Sequence, residues 1–201
     1  MLVLVLAADM NLGIGRNNGL PWSFAKDMEF FKNVTERSTV IIGCNTWSGL
    51  EAKGILLPGR DKIILSNKNP TGVVRLPTGT EQYTNAPNMV ISANFDSDEP
   101  VFVIGGAKTY TEFADSADYA IVTKVHSENE CDTFLDSRIV RQFTEEIRNY
   151  DLTDIDRLTQ NAVKLSFTLY GSRHRADNTP IHPQVLAAYE RGVNSVKGRF
   201  D

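Results

Sequence analysis

The stretch Leu2-Val3-Leu4-Val5-Leu6-Ala7-Ala8 is apolar throughout and gives way at once to the polar Asp9-Met10-Asn11. A continuous apolar run of this length is typical of a strand in the interior of a sheet. It has no basic flank and is too short to span a bilayer, which argues against a signal peptide or a membrane helix. We therefore predict a buried strand at residues 2–8.

Further apolar runs alternate with helical or Gly/Pro-rich stretches, and this alternation favours an α/β fold. We predict strands at residues 39–43, 62–66, 101–104 and 119–125, helices at 24–36, 46–50 and 107–114, and turns at 57–59 and 77–79. The Pro/Asn/Asp-rich segment 69–100 supports only a short strand at 89–91. Residues 162–170 alternate between apolar and polar side chains, which predicts an antiparallel strand that closes the sheet.

The pattern predicts one domain over residues 1–171, with a mixed, mostly parallel twisted sheet of about eight strands and about four flanking helices. From residue 172 the sequence becomes polar and basic, and residues 183–192 show a modest helical pattern. We expect residues 172–201 to be a tail with a short helix, either packed on the surface or partly mobile.

Composition limits the function. The chain has 201 residues, a net charge of -4 and no cluster of basic residues, so we expect no nucleic-acid partner and no membrane association. Cys44 and Cys131 form no disulfide framework or metal-type spacing, and the three histidines form no ligand pattern, so we expect no metal and a cytoplasmic location. We also expect a monomer.

Asp27 is the most informative single residue, because it lies on the apolar face of the helix predicted at 24–36. At helical period, Phe24, Met28, Phe31 and Val34 share this face. A buried carboxylate either takes up a proton, with a raised pKa, or finds hydrogen-bond partners, and both outcomes suit a cationic or protonatable ligand. The alternative is that Asp27 turns to the rim, where it is solvated or caps a neighbouring element.

The glycines Gly13, Gly15 and Gly19 follow the first predicted strand, but their spacing does not fit the Gly-x-Gly-x-x-Gly fingerprint, and no helix opens after them. A flexible loop that folds over a ligand is the functional interpretation, and an ordinary turn is the alternative.

Two strand-to-helix junctions, 42–46 and 104–108, are better candidates for phosphate sites. Free backbone N–H groups and the helix dipole attract anions there, and glycine allows close approach. Packing alone also explains a Gly-Gly pair, but two such junctions in one small domain suit an extended dinucleotide. Arg60 could bind a carboxylate through its guanidinium fork, or form a surface salt bridge.

Taken together, these motifs resemble dihydrofolate reductase in order and spacing over about residues 1–136, and plausibly at the closing strand near Phe167. The resemblance is carried by Ile14-Gly15, Leu20-Pro21-Trp22, Asp27, Phe31-Lys32, Gly43, Thr46-Trp47, Leu57-Pro58-Gly59-Arg60, Ile64-Leu65-Ser66, Val103-Ile104-Gly105-Gly106-Ala107, Tyr110 and Thr123.

The resemblance implies reduction of 7,8-dihydrofolate to 5,6,7,8-tetrahydrofolate, for one-carbon and thymidylate synthesis, by hydride transfer from NADPH to C6. Asp27 would bind the pterin ring and assist protonation of N5, Trp22 would hold an ordered water, and Leu20 would belong to the loop over the nicotinamide. The implied substrate-binding residues are Ala7, Asp27, Met28, Phe31, Leu57, Arg60 and Thr123. The implied cofactor-binding residues are Ala7, Ile14, Gly15, Gly43, Cys44, Asn45, Thr46, Leu65, Ser66, Ile104, Gly105, Gly106, Ala107, Lys108 and Tyr110. Antifolates are the implied inhibitors.

Three features depart from this pattern. Cys44 stands where the family usually has a basic residue beside the adenosine 2′-phosphate, which weakens the expected preference for NADPH unless Lys68, Arg75 or Lys108 compensates. The segment 143–161 is longer and more acidic than the usual connection, and the tail past Gly171 is extra.

Two alternatives remain open at this point. A riboflavin-pathway type pyrimidine reductase shares the fold but lacks the pairing of Leu-Pro-Trp with Asp27. A non-catalytic folate- or nucleotide-binding module would keep the pocket without turnover, and would use the tail for assembly.

Overall fold

The structure, a computed structural model, describes residues 1–68, 72–76, 79–94, 99–175 and 179–198. Its strands are β1 (Leu2–Ala8), β2 (Gly13–Gly15), β3 (Thr39–Gly43), β4 (Asp61–Leu65), β5 (Gly72–Leu76), β6 (Gly79–Thr84), β7 (Val101–Val103), β8 (Tyr119–Val125), β9 (Thr133–Phe134), β10 (Phe143–Ile155) and β11 (Ala162–Ser172). Its α-helices are α1 (Ala25–Thr35), α2 (Cys44–Glu51), α3 (Pro87–Asn94), α4 (Ala107–Phe113), α5 (Ser137–Gln142) and α6 (Pro183–Val196).

Nine strands form one mixed sheet in the order β10-β11-β8-β1-β7-β3-β4-β6-β5. The strands from β8 through β1, β7, β3 and β4 to β6 run parallel, while β11 pairs antiparallel with β8 and β10 antiparallel with β11. The α/β class, the mostly parallel sheet and the antiparallel C-terminal strand are therefore confirmed. The sheet has one strand more than predicted, and the described residues hold six α-helices rather than about four.

The central strands are buried because they have apolar side chains on both faces. Val3 and Leu4 of β1 are fully buried, and they belong to two different core clusters on the two sides of the sheet. Helices α1, α2 and α6 contribute to one cluster and α4 to the other. The bounds predicted for β1, β3 and β8 are confirmed, and those for β4 and β7 differ by one residue.

Two predictions about secondary structure were wrong, and one about burial was wrong in part. The strand predicted at residues 89–91 is part of α3, which begins at Pro87, a residue that suits the first turn of a helix. The C-terminal strand does not close the sheet, because β10 lies outside β11 as the edge strand. The face predicted for α1 is correct for Phe24, Asp27 and Val34, which are buried, but it omits the buried Phe30 and includes Met28, which is 45% exposed. Residues 77 and 78 of the turn predicted at 77–79 lie outside the described residues.

The helix predicted at residues 183–192 extends over Pro183–Val196 and packs into the core. It buries Ala188, Tyr189 and Val193, and the Tyr189 hydroxyl donates to the Phe167 carbonyl at 2.9 Å. The Phe30 ring packs against Phe167, with 4.2 Å between ring centroids, and meets Tyr189 edge-on at 6.1 Å. The helix is thus packed against α1 and β11, while the division of the chain at residue 171 stays a prediction. None of the described helices is long and apolar enough to cross a lipid bilayer.

We expect Gly192→Ala to lower the free energy of unfolding by about 1 to 2 kcal/mol, measured by urea denaturation. A β-carbon at Gly192 would lie 2.6 Å from Val34 Cγ2 and 2.7 Å from Phe30 Cε2, and the cost of this overpacking exceeds the gain in helix propensity. Asn194→Ala, at an exposed position of the same helix, is the control. Equal stability of the two variants would show that α6 does not pack tightly on α1.

Candidate active site

A cavity of about 470 Å³ opens between α1, α2, the loop after β1 and the junction of β7 with α4. It lies at the carboxyl ends of the parallel strands, where α/β sheets commonly bind ligands. The predicted site residues that line it are Ala7, Ile14, Gly15, Leu20, Trp22, Asp27, Met28, Phe31, Thr46, Leu57, Ile104, Gly105, Gly106, Ala107, Tyr110 and Thr123. The fold therefore brings together residues that are more than one hundred positions apart in the sequence.

Asp27 is held in this cavity by the first turn of α1. Its residue exposure is 6%, so the carboxylate is on the buried side of the helix rather than at a solvated rim. Burial raises the pKa of Asp27 from 3.8 to about 6, a hydrogen bond with Thr123 opposes this rise, and the charge of Asp154 adds to it. A carboxyl group with this pKa exchanges a proton in the range where enzymes work.

Thr123 and Tyr110 flank Asp27 from two other elements. Thr123 lies on β8 opposite Ala7 of β1, so its position is fixed by two neighbouring strands. The buried Tyr110 hydroxyl donates to the Val5 carbonyl at 2.9 Å. Burial, together with the nearby charge of Asp27, raises the pKa of Tyr110, so the phenol remains a neutral hydrogen-bonding group.

Trp22 lies beside the cavity and is 3% exposed. Its indole Nε1 is buried and has no hydrogen-bond partner among the described residues. An indole N–H usually finds a partner when it is buried, so this donor is available to a ligand or a water molecule.

The two strand-to-helix junctions lie against each other. The Gly43 N–H donates to the Gly105 carbonyl at 2.7 Å, and Gly105 has a φ of 126°, a conformation that favours glycine. The peptide bond between Gly105 and Gly106 is cis. Gly43 and Gly106 are the N-caps of α2 and α4, and neither helix has a side-chain cap. The first-turn N–H groups are therefore available to an anion.

The loop after β1 is held against the segment that precedes and forms β9. Asp9 is buried, and it accepts the N–H groups of Gly13 at 2.8 Å and of Asn129 at 2.9 Å. Asp132 accepts the N–H of Asn17 at 2.8 Å, and its own N–H donates to the Gly15 carbonyl at 3.0 Å. This loop forms one wall of the cavity through Ile14, Gly15 and Leu20.

Arg60 is 4% exposed and forms no salt bridge with the described residues, in contrast to the surface salt bridge that was the alternative. Its Nε donates to Thr35 Oγ1, Nη1 to the Pro58 carbonyl and Nη2 to the Lys32 carbonyl, all at 2.9 Å. These bonds use three of the five guanidinium N–H groups, which leaves one on each terminal nitrogen without a partner among the described residues. Such a pair can bind a carboxylate bidentately.

Seven predicted site residues are not in the cavity lining: Gly43, Cys44, Asn45, Arg60, Leu65, Ser66 and Lys108. Arg60 is held by Thr35, Pro58 and Lys32. Of the others, Gly43 ends β3, Cys44 and Asn45 begin α2, Leu65 ends β4 with Ser66 directly after it, and Lys108 lies in the first turn of α4. Their roles stay predictions.

Arg16, Asn18 and Gly19 also line the cavity and belong to the glycine loop that was interpreted as folding over a ligand. Sequence reasoning missed other lining residues, namely Val5, Leu6, Ser23, Phe30, Leu50, Lys53, Ile55 and Thr133. Phe30 carried a usable signal, because it follows Asp27 by three positions and so lies on the same helical face. Thr133 and Lys53 carried none, since tertiary contacts bring them to the cavity.

Comparisons with known proteins identify the fold and the family of this chain. The solved structure of dihydrofolate reductase from Enterococcus faecalis, complexed with NADP(H) and RAB-propyl, has the same fold, with a TM-score of 0.68 and 23% identity over 86% of this chain and 96% of that chain. The dihydrofolate reductase of Schistosoma mansoni is 32% identical over 185 residues, which are 84% of this chain and 95% of the relative.

A bifunctional dihydrofolate reductase-thymidylate synthase of Daucus carota is 30% identical over 185 residues, but the matched part is only 33% of that protein. The family model described as dihydrofolate reductase matches residues 1–171. The fold and the cavity together define an α/β protein with a candidate ligand site at the carboxyl ends of its parallel strands. The family match is more specific, and the chain belongs to the dihydrofolate reductase family.

We expect Asp27→Asn to raise the free energy of unfolding at pH 8 by up to about 3 kcal/mol, measured by urea denaturation. The folded-state pKa of about 6 lies above the unfolded value of 3.8, so ionisation of Asp27 opposes folding. This cost is absent below about pH 3.8, grows up to about pH 6 and is complete above it.

The gain from Asp27→Asn should therefore shrink towards zero as the pH falls to 4. Glu29→Gln, at an exposed acid on the same helix, is the control and should show no such trend. A pH-independent effect of Asp27→Asn would contradict the raised pKa.

Proposed function

We propose that this chain catalyses the NADPH-dependent reduction of 7,8-dihydrofolate to 5,6,7,8-tetrahydrofolate, which supplies one-carbon and thymidylate synthesis. The observation that carries this proposal is the single buried carboxylate, Asp27, in an otherwise largely apolar cavity. A pterin ring presents two adjacent donors, at N3 and the 2-amino group, and a carboxylate can accept both at once. Family membership makes folate reduction the expected activity.

The rest of the cavity suits the other parts of dihydrofolate. Met28, Phe31 and Leu57 line it with apolar surface that can contact the benzoyl ring. The two unpartnered N–H groups of Arg60 suit the α-carboxylate of the glutamate. Thr123 would keep the Asp27 carboxylate oriented towards the pterin, and Trp22 would hold a water molecule through Nε1.

The residues of the strand-to-helix junctions fit NADPH. Glycine N-caps and uncapped first turns at α2 and α4 offer N–H groups to phosphates, and Thr46 lies at the cavity beside them. Ala7, Ile14 and Tyr110 would contact the nicotinamide end, while Leu65, Ser66 and Lys108 would lie nearer the adenosine. When bound, NADPH supplies the hydride that reduces C6 of the pterin.

The protein contributes orientation, exclusion of water and control of a proton. The loop that contains Leu20 would cover the cavity, and Tyr110 would remain neutral at its base. Asp27 would hold the pterin and favour a proton at N5 through an ordered water. The rate should follow the fraction of complexes in which the proton is held by Asp27 and the pterin together. This fraction falls as the pH rises through the pKa of the pair.

An absorbance assay at 340 nm with dihydrofolate and NADPH tests the activity. We expect the wild type to consume both compounds, and Asp27→Asn to lower kcat by at least about 100-fold at pH 7 because the amide cannot exchange a proton. The loss should be smaller at pH 5, where the substrate is more often protonated in solution. Glu29→Gln should keep the wild-type profile.

The same assay repeated with a ribosylaminopyrimidine in place of dihydrofolate, together with a measurement of dihydrofolate binding, separates the alternatives. Consumption of a ribosylaminopyrimidine instead of dihydrofolate would identify a riboflavin-pathway type reductase. Tight binding of dihydrofolate without turnover would identify a non-catalytic module. Wild-type rates in Asp27→Asn at all pH values would refute the role of Asp27.

A second prediction concerns cofactor preference. The Cys44 side chain is half-buried, lies 3.7 Å from Asn45 Oδ1 and has no cationic group to offer a 2′-phosphate. We expect Cys44→Arg to raise the ratio of kcat/KM for NADPH over NADH by about tenfold, and the neutral control Cys44→Ser to leave it unchanged. An unchanged ratio in Cys44→Arg would show that the 2′-phosphate is bound elsewhere.

A further inference from the structure

The far end of the hairpin formed by β10 and β11 contacts the segment that leads into α1. Asp156 Oδ1 accepts the N–H of Ser23 at 2.9 Å, and the Arg157 N–H donates to the Ser23 carbonyl at 2.9 Å. Asp154 Oδ2 accepts the N–H of Lys26 at 2.8 Å. The acidic segment that distinguishes this chain from the usual pattern therefore reaches the helix that carries Asp27.

Asp154, a residue of β10, acts as the N-terminal cap of α1. The N-cap residue of α1 is Phe24, whose side chain cannot accept a hydrogen bond, and the helix has no cap of its own. The first four N–H groups of a helix need acceptors, and a carboxylate there also interacts favourably with the helix dipole. Lys26 N–H is one of these groups, and Asp154 satisfies it from 128 positions away.

Asp154 also brings a second negative charge close to Asp27. Asp27 directly follows Lys26, and neither Asp27 nor Asp154 forms an ion pair within the described part of the chain. The charge of Asp154 is held by backbone N–H groups instead, from Lys26 and from Ile155 at 2.9 Å.

We propose that Asp154 is a positioning residue of the active site, which fixes the first turn of α1 and places a second carboxylate beside the buried Asp27. The kinetic part of this inference rests on the proposed function, whereas the electrostatic part concerns the ligand-free protein alone. Two like charges in proximity disfavour the ionised form of the more deeply buried group, which is Asp27.

The other groups around Asp27 cannot replace this charge. Thr123 faces it from β8 and favours the ionised form through its hydrogen bond, and Tyr110 of α4 is neutral. On α1 itself, Lys26 Nζ lies 3.8 Å from Glu29, which offsets its charge. Asp154 is thus the charged side chain whose effect on the pKa of Asp27 adds to that of burial.

The structure offers a matched set of variants. Asp154→Asn keeps an oxygen that can accept the Lys26 N–H but removes the charge, and Asp154→Ala removes both. Asp156→Asn is the control, because this acid also holds the entry to α1, but it does so through Ser23 rather than through the residue next to Asp27. The primary measurement is the carbon-13 NMR titration of the Asp27 carboxyl in ligand-free protein, assigned by comparison with Asp27→Asn.

We expect the Asp27 titration to move to lower pH in both Asp154→Asn and Asp154→Ala, and to remain in place in Asp156→Asn. Thermal stability should fall more in Asp154→Ala than in Asp154→Asn, because only the former loses the helix cap. In steady-state assays Asp154→Asn should lower kcat at pH 8 by about twofold to threefold, with a smaller change at pH 5, as expected for a partly screened charge.

The outcomes distinguish the two proposals. A titration curve of Asp154→Asn that superimposes on the wild type would overturn this inference, even if turnover of dihydrofolate depends on Asp27. A shifted titration in a protein that never consumes dihydrofolate would refute the proposed function and leave the electrostatic coupling in place. Equal shifts in Asp154→Asn and Asp156→Asn would also overturn it, because they would indicate a general change in hairpin charge.

Discussion

The burial of one carboxylate is the constraint on which the site depends. Asp27 is ionisable, and in the cavity it keeps a hydrogen bond with Thr123 but has lost most of its water. A small rotation of α1 would return it to solvent, so the helix must be held by contacts stronger than this tendency. Phe30 and Val34 provide them, because they pack against α6 and β11 on the same face of α1 that presents Asp27.

The parallel and the antiparallel strands of the sheet supply different parts of the cavity. Parallel strands end together, so β3 and β7 bring Gly43 and Gly105 within hydrogen-bond distance and start α2 and α4 side by side. The antiparallel side provides Thr123 on β8 and, through β11, the platform for Phe30. The proposed cofactor and substrate regions therefore meet near β1, whose Ala7 lies beside Thr123.

The parts of the fold that could be predicted from the sequence are those with a strong local signal. Continuous apolar runs identified β1, β3 and β8, and the family motifs placed most of the cavity lining. β10 was missed because this edge strand alternates between exposed and half-buried residues, which resembles a polar loop. The phase of α1 was partly wrong because its burial is decided by α6, which begins about 150 positions later.

Contacts between distant parts of the chain also explain why the pKa of a site residue is harder to predict from the sequence than the identity of the residues in the site. The sequence showed that residues 143–161 are acidic, but not that one of these acids would cap α1 beside Asp27. The motif residues that carry the family resemblance lie before residue 124, apart from the closing strand near Phe167, whereas the helix cap and α6 come from later segments that the motifs do not include. Two proteins with the same motif can therefore hold the same carboxylate at different proton affinities, since some of the charges around it, such as that of Asp154, come from the part of the chain that the motif does not contain.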